Sequence, residues 1–352
     1  MAAERKMEYG IALTPSPDSW KTVKRAEELG FSRAWFYDSQ LLYTDVFISM
    51  ALAAEHTSRI RLGTGVLIPT NRLAPVAANC FASLNRIAPG RIDFGVGTGF
   101  TGRNTMGLPA QKLGEMAEYI EVVQAMLRGE TAPFRTEGKT RTIGFLNPEN
   151  GMLNVDDPVQ LHVSAFGPKG RALTAEKADG WITFMGPVGS ALHQAAEMDA
   201  ACTVVGRDPA SLRKTVFTLG CVLGAGETPD GARAMAQAGP AGAVSWHGMI
   251  ENFSRLPAEM QANAAAYRTL YESYEPSDAR YLALHRGHLL FIREDERAFV
   301  TGAQLAAATM TCDAAEVRAR AEQLAAAGYD ELTVQLVYGH EDAVEDWAGA
   351  LL

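Results

Sequence analysis

The sequence predicts a (β/α)8 barrel, and three observations carry that prediction. Strand-like and helix-like segments alternate from the start, giving four βα units in about 130 residues, which is the pattern of a parallel sheet. The second half adds four more strand-like runs, so the total of eight favours a closed barrel over an open sheet. A glycine-rich loop, Gly95 to Gly107, opens where the fourth strand should end. An open, doubly wound sheet is the competing architecture.

The elements follow in order. Residues 8–13 (EYGIAL) form a first strand, and the helix pattern over 20–29 stops at Gly30, where a C-cap glycine belongs. Residues 32–38 form the second strand, with a helix over 44–56. Residues 60–68 (IRLGTGVLI) form the third, with a helix from about 75 to 87. Residues 92–98 form the fourth, followed by a long amphipathic helix over 110–128. The fifth strand covers 160–165, and its helix begins at the Gly-Pro-Lys-Gly turn and ends before Gly180. The sixth covers 181–184 with a helix over 190–205, and the seventh covers 215–223. A helix over 314–327 leads to the eighth strand at 331–337 and a closing helix at 341–351.

Two stretches exceed a minimal barrel. Residues 132–158 carry Pro, Asn and Gly signals for a loop or hairpin, and 239–309 hold helix-like segments near 256–274 and 279–290. Both are expected as insertions at the C-terminal rim of one barrel domain spanning 1–352.

Composition narrows the function. Hydrophobic residues make up 47% and charged residues 21%, ordinary values for a globular chain with ample core. The net charge of −9 argues against nucleic-acid or anionic-membrane partners. Cys80, Cys202, Cys221 and Cys312 are scattered, as free thiols in a reducing compartment would be. No signal-peptide pattern or apolar run of about 18 residues is present, so the expected location is the cytoplasm.

Barrel enzymes place chemistry at the C-terminal ends of strands. In the loop after the fourth strand, Gly97, Thr98 and Gly99 suit close approach of backbone amides to a phosphate, with Arg103 alongside, although glycines also build plain tight turns. After the fifth strand, Ala165, Phe166, Gly167, Pro168 and Lys169 lead into a helix N-terminus, a second anion-binding signal. Ala12, Asp38 and Thr64–Val66 mark the ends of the first three strands.

Four blocks of this pattern resemble the bacterial luciferase-like superfamily, nearest its methylenetetrahydromethanopterin reductase-like branch. They are AWFYDSQ at 34–40, the long run at 59–99, EYIEVVQAMLRGE at 118–130 and SAFGPKGRALTAEKADGWI at 164–182. The similarity is good over roughly 1–225, weak through 226–310, and returns in the final helix-strand-helix. It implies a flavin-type oxidoreductase with reduced coenzyme F-420 for hydride transfer to a small organic substrate. The alternative it allows is FMN with oxygen for monooxygenation, supplied by a flavin reductase. It also implies a homodimer. The ring would lie near Ala12, Asp38 and Thr64, Gly65 and Val66, with the phosphate between the 97–103 loop and residues 166–170. A non-prolyl cis peptide would sit at Thr64–Gly65 or Gly65–Val66. A phosphate-binding lyase or isomerase barrel and a non-catalytic flavin-binding protein are the readings of other classes.

One departure bears on the chemistry. The family commonly has His after the acidic residue of the second strand, whereas Asp38 is followed here by Ser39 and Gln40. Asp38 reads either as an acceptor for a ring N–H or as a helix cap. His285 and His288, in Leu284-His-Arg-Gly-His-Leu289, are candidate proton donors from the long insertion, with His247 behind them; structural histidines are the competing reading. Their i, i+3 spacing could also ligate a metal, but no third donor completes a pattern in the sequence, and no metal is expected.

Overall fold

The computed structural model describes residues 6–352. Eight parallel strands close into a barrel: β1 Glu8–Leu13, β2 Arg33–Phe36, β3 Arg61–Thr64, β4 Ile92–Val96, β5 Gln160–Ser164, β6 Gly180–Phe184, β7 Arg213–Thr218 and β8 Glu331–Leu336. Neighbours in sequence are neighbours in the sheet, and β8 closes on β1 with Glu8 opposite Glu331 and Leu13 opposite Leu336. The (β/α)8 barrel is therefore the fold, and the open sheet is set aside.

The strands form because their side chains are buried on both faces. Ala34, Trp35 and Phe36 of β2 and every residue of β4 and β8 are shielded from solvent. The outward-facing residues meet the helices, as Phe94 does with Phe81 of the helix Ala74–Ile87.

The barrel interior is layered. At the N-terminal end lies a charged layer in which Arg33 reaches Asp93 and Glu331, each at 2.7 Å, while Arg61 and Arg213 add 2.6 and 2.9 Å contacts to the two acids. Above it sits Trp35, its indole N–H donating to Glu331 at 2.9 Å. Such a layer at the N-terminal face holds the barrel together, apart from the chemistry. No spacing rule in the sequence announced it.

Two strands end earlier than their apolar runs. The third stops at Thr64 because the Gly65–Val66 peptide is cis and the ladder resumes only at Leu67, paired with Val96. The seventh stops at Thr218, and Val222–Leu223 pairs separately with Cys312–Asp313. Between them Gly220 approaches the Met310 carbonyl so closely that a β-carbon would lie 2.5 Å from its oxygen.

The two insertions differ in position. Residues 132–158 form the hairpin Ala132–Thr136 and Lys139–Ile143, then a loop whose Asn154 N–H donates to the Ala82 carbonyl at 3.0 Å. This segment follows a helix, Leu113–Leu127, so it lies against the helical layer and corrects the expectation of a rim position. It borders a cavity of about 570 Å³ lined by Glu115, Glu118 and Tyr119. Residues 239–309 do reach the rim, where Tyr281 closes on Gly107 and Tyr43 donates to the His288 carbonyl at 2.5 Å. The four cysteines are free, and no helix among the described residues is long and apolar enough to cross a membrane.

Candidate functional site

The barrel mouth is floored by Ala12, Trp35, Tyr37, Ile182 and Phe217, with Val66, Tyr43 and Leu289 packed on it. The Tyr37 hydroxyl donates to Gln335 at 3.0 Å, tying the end of β2 to β8, and burial pushes its phenol well above the ordinary value. Leu289 belongs to the long insertion, so that insertion closes over the mouth. Ala12 and Thr64 are fully buried. A smaller cavity of about 170 Å³ remains at the ends of β6, β7 and β8 beneath the insertion, bounded by Phe184, Phe217, Gln335 and Ser245.

The turns after β4 and β5 open side by side. Val96 pairs with Val163 at the strand ends, and a β-carbon on Gly97 would stand 3.6 Å from that of Ser164. The glycines of the first turn, however, are packed against protein. A β-carbon on Gly97 would lie 2.7 Å from Val66 and one on Gly95 only 2.0 Å from the Thr64 carbonyl oxygen. Gly99 adopts φ 76°, which a glycine accommodates without strain, and faces Ile68. The role of these glycines is to let the cis-peptide segment after β3 lie against β4.

The second turn is different. Phe166, Gly167, Pro168 and Lys169 are exposed, and nothing lies within 4 Å of where a Gly167 β-carbon would be. The helix Pro168–Lys177 begins there without a side-chain cap, leaving the first-turn amides of Lys169 and Gly170 without an intrahelical acceptor. Ala165 is buried below, its carbonyl accepting from the Trp181 indole at 2.8 Å. Arg103 reaches this rim from the neighbouring turn, but its Nε donates to the Pro109 carbonyl at 2.5 Å and so first closes its own loop. Thr98 also serves that loop, its carbonyl accepting from Gln111 at 2.9 Å.

Asp38 is buried and fully engaged. Its carboxylate accepts from Ile68 N at 3.0 Å, Asn71 Nδ2 at 3.3 Å and Arg72 Nη1 at 2.9 Å, and Arg72 continues to Asp45. Burial raises the carboxyl above its ordinary value, against the pull of Arg72 and the Ile68 amide. Gln40 joins Asn71 at 2.7 Å to the Gly102 carbonyl. Asp38 and Gln40 thus hold the segment 68–72 onto the rim. Arg72 was passed over in the sequence, although it lies within the 59–99 block.

His285 and His288 come together with His247, and one nitrogen of each ring lies within 4.8 Å of the others. The expectation that the sequence offers no third donor is corrected here: the helix Gly239–Glu251 supplies it from 38 residues upstream of His285. His285 Nε2 contacts Glu251 at 2.7 Å, and His247 Nε2 contacts Glu296 at 2.7 Å. Burial lowers His247 against the pull of Glu296, and pushes His288 well below the ordinary imidazole value.

A family model for luciferase-like monooxygenases matches residues 15–292, which hold β2 to β7 of the barrel and most of the long insertion. The chain belongs to the luciferase-like monooxygenase family. Among its relatives, the F420-dependent hydroxymycolic acid dehydrogenase of Mycobacterium tuberculosis is 29% identical over 224 residues, covering 58% of this chain and 61% of that protein. The 5,10-methylenetetrahydromethanopterin reductase of Methanolobus tindarius is 30% identical over 208 residues, covering 58% and 62%. The matched region spans about three fifths of each relative's length. The coenzyme F420-dependent tetrahydromethanopterin reductase of Methanopyrus kandleri has the same fold, with a TM-score of 0.69 at 18% identity over 98% of both chains.

Proposed function

We propose that this chain is a two-electron oxidoreductase, a single barrel unit that binds reduced coenzyme F-420 across its mouth and passes a hydride to a small organic substrate. The observation that carries this reading is the adjacency of the turns after β4 and β5, with an open helix N-terminus and Lys169 at their junction. Anions favour that combination of free amides, helix dipole and ammonium. The named relatives support F-420 as the cofactor.

The residues present fit such a molecule. Lys169 Nζ and the amides of Lys169 and Gly170 would hold its phosphate, with Arg103 guarding the neighbouring side. Thr14 Oγ1, just beyond β1, is buried without a partner and offers a hydrogen bond to a ring edge. The apolar floor of Ala12, Ile182 and Phe217 suits a flat ring, for which the insertion carrying Leu289, closed over that floor, would move aside and then exclude water around it. Bound F-420 supplies the hydride. Asp38, through Ile68, Asn71 and Arg72, keeps the segment after Gly65–Val66 in place at the barrel mouth.

Titration of the purified chain with F-420 tests this, followed by a panel of alcohols, aldehydes and enones while the cofactor's visible absorbance is recorded. Saturable binding with substrate-dependent bleaching or recovery supports the proposal. FMN binding with oxygen uptake in the presence of a flavin reductase, and no response to F-420, would replace it with a monooxygenase. Binding without turnover of any substrate would leave a flavin-binding protein.

A further inference from the structure

We infer that the long insertion carries a tri-histidine site for a divalent transition-metal ion of the zinc class, formed by His247, His285 and His288. The three side chains are 2%, 3% and 5% exposed, and one nitrogen of each lies within 4.8 Å of the other two. The Nδ1 atom of every one is buried and has no hydrogen-bond partner. Three orphaned imidazole nitrogens in one buried cluster are costly unless something binds them.

The surroundings fix which nitrogen is available on two of the rings. Nε2 of His247 faces Glu296 and Nε2 of His285 faces Glu251, each at 2.7 Å. A ring that donates its Nε2 proton to a carboxylate presents the Nδ1 lone pair on its other edge. Carboxylate, imidazole and metal in that order is the usual outer support of a zinc site. Glu296 is itself secured by Arg293 at 2.8 Å and by the Tyr267 hydroxyl, and is 1% exposed. These contacts make a built site.

Zinc bonds to imidazole nitrogen are about 2.0–2.1 Å, which sets donors in a tetrahedron about 3.4 Å apart, so small ring rotations would close the cluster on an ion. Nitrogen donors without thiolates favour Zn²⁺, with Co²⁺ or Ni²⁺ as surrogates, over Mg²⁺ or Ca²⁺. Three protein ligands would leave a fourth position for water. The ion would join the helix Gly239–Glu251 to the turn 285–288, whose next residue, Leu289, packs on the barrel mouth. It would thereby clamp the cover of the site.

The test uses the full chain without a histidine tag, loaded with Zn²⁺, desalted and assayed for metal, then titrated with Co²⁺ in the visible range. The expected result is about one retained zinc per chain and cobalt bands of a nitrogen-ligated site. His247→Gln and His288→Gln should each lower retention at least about tenfold, and Glu296→Gln should weaken affinity by about 10- to 100-fold with the ligands intact. The exposed His193, 3.8 Å from Glu197, is the control for surface binding. If the histidine variants do not fold, the unmodified chain still decides. Retention below about a tenth of an equivalent with no cobalt bands would overturn the site, and so would metal lost with His193→Gln but kept without His247. Metal content is read without F-420, so the result is independent of the cofactor proposal.

Discussion

Arg72 Nη1 lies 2.9 Å from both carboxylate oxygens of Asp38, and both side chains are largely shielded from water. The pair fastens the segment after the cis peptide to the end of β2. Truncating one member of such a pair strands the other charge, at a cost of about 3 kcal/mol. Asp38→Ala and Arg72→Ala should each lower stability by about that much in urea unfolding, and the double variant should lose much less than the sum. Additive losses would show that the two do not act as a unit.

The charged layer at the opposite end of the barrel predicts a pH dependence. Burial alone pushes the Glu331 carboxyl up, but Arg33 and Arg213, with the Trp35 indole and the Thr333 hydroxyl, outweigh it and hold it at about 2. Asp93, between Arg33 and Arg61, is likewise held well below its ordinary value. A carboxyl held low in the folded chain contributes stability that is complete above its unfolded value, about 4.3 for Glu, and is lost as the pH falls towards 2. For Glu331 the contribution is about 3 kcal/mol. The part of the thermal midpoint that these carboxylates supply should therefore be flat above about pH 5 and fall steeply below it. In Glu331→Gln the midpoint should start lower and the fall should be shallower.

The barrel was legible in the sequence because its signal is repeated: eight short apolar strands, the first four at nearly even spacing, survive errors at any one boundary. The boundaries that failed, at Thr64 and Thr218, lie where the backbone leaves the ladder for reasons that apolar patterning does not encode. The site was legible only in part. The turn at Phe166–Lys169 announced itself through Gly-Pro before a helix pattern, and it is open as read. Arg72, Glu251 and Glu296 were invisible because each acts on a partner at least 34 residues away. His247 was seen but set apart, since sequence distance hid its proximity to His285 and His288.

The glycines of the first turn give a sharp test of packing against ligand clearance. A β-carbon at Gly95 would stand 2.0 Å from the Thr64 carbonyl oxygen, and backbone cannot rotate away as a side chain can. Overpacking of this kind costs typically 1–3 kcal/mol, about 3 or more here because the obstacle is main chain. Gly95→Ala should lower the thermal midpoint markedly. Gly167→Ala, with open space around it, should leave the midpoint within error.

Lys169 and Arg103 separate the two sides of the proposed phosphate notch. Lys169 is exposed beside an uncapped helix N-terminus, while the Arg103 guanidinium is already committed through Nε to the Pro109 carbonyl. A hydrogen bond to a charged group contributes about 1.5–3 kcal/mol, so Lys169→Ala should weaken F-420 binding by about 10- to 100-fold. Arg103→Ala should cost less in direct contact and act partly by loosening the loop from 103 to 109. Fluorescence titration of F-420 against each variant and the double variant measures this. The double variant should bind most weakly while unfolding at nearly the same temperature, because neither side chain supports the core. If affinity in the double variant matched that of the unmodified chain, the phosphate would have to lie elsewhere on the rim.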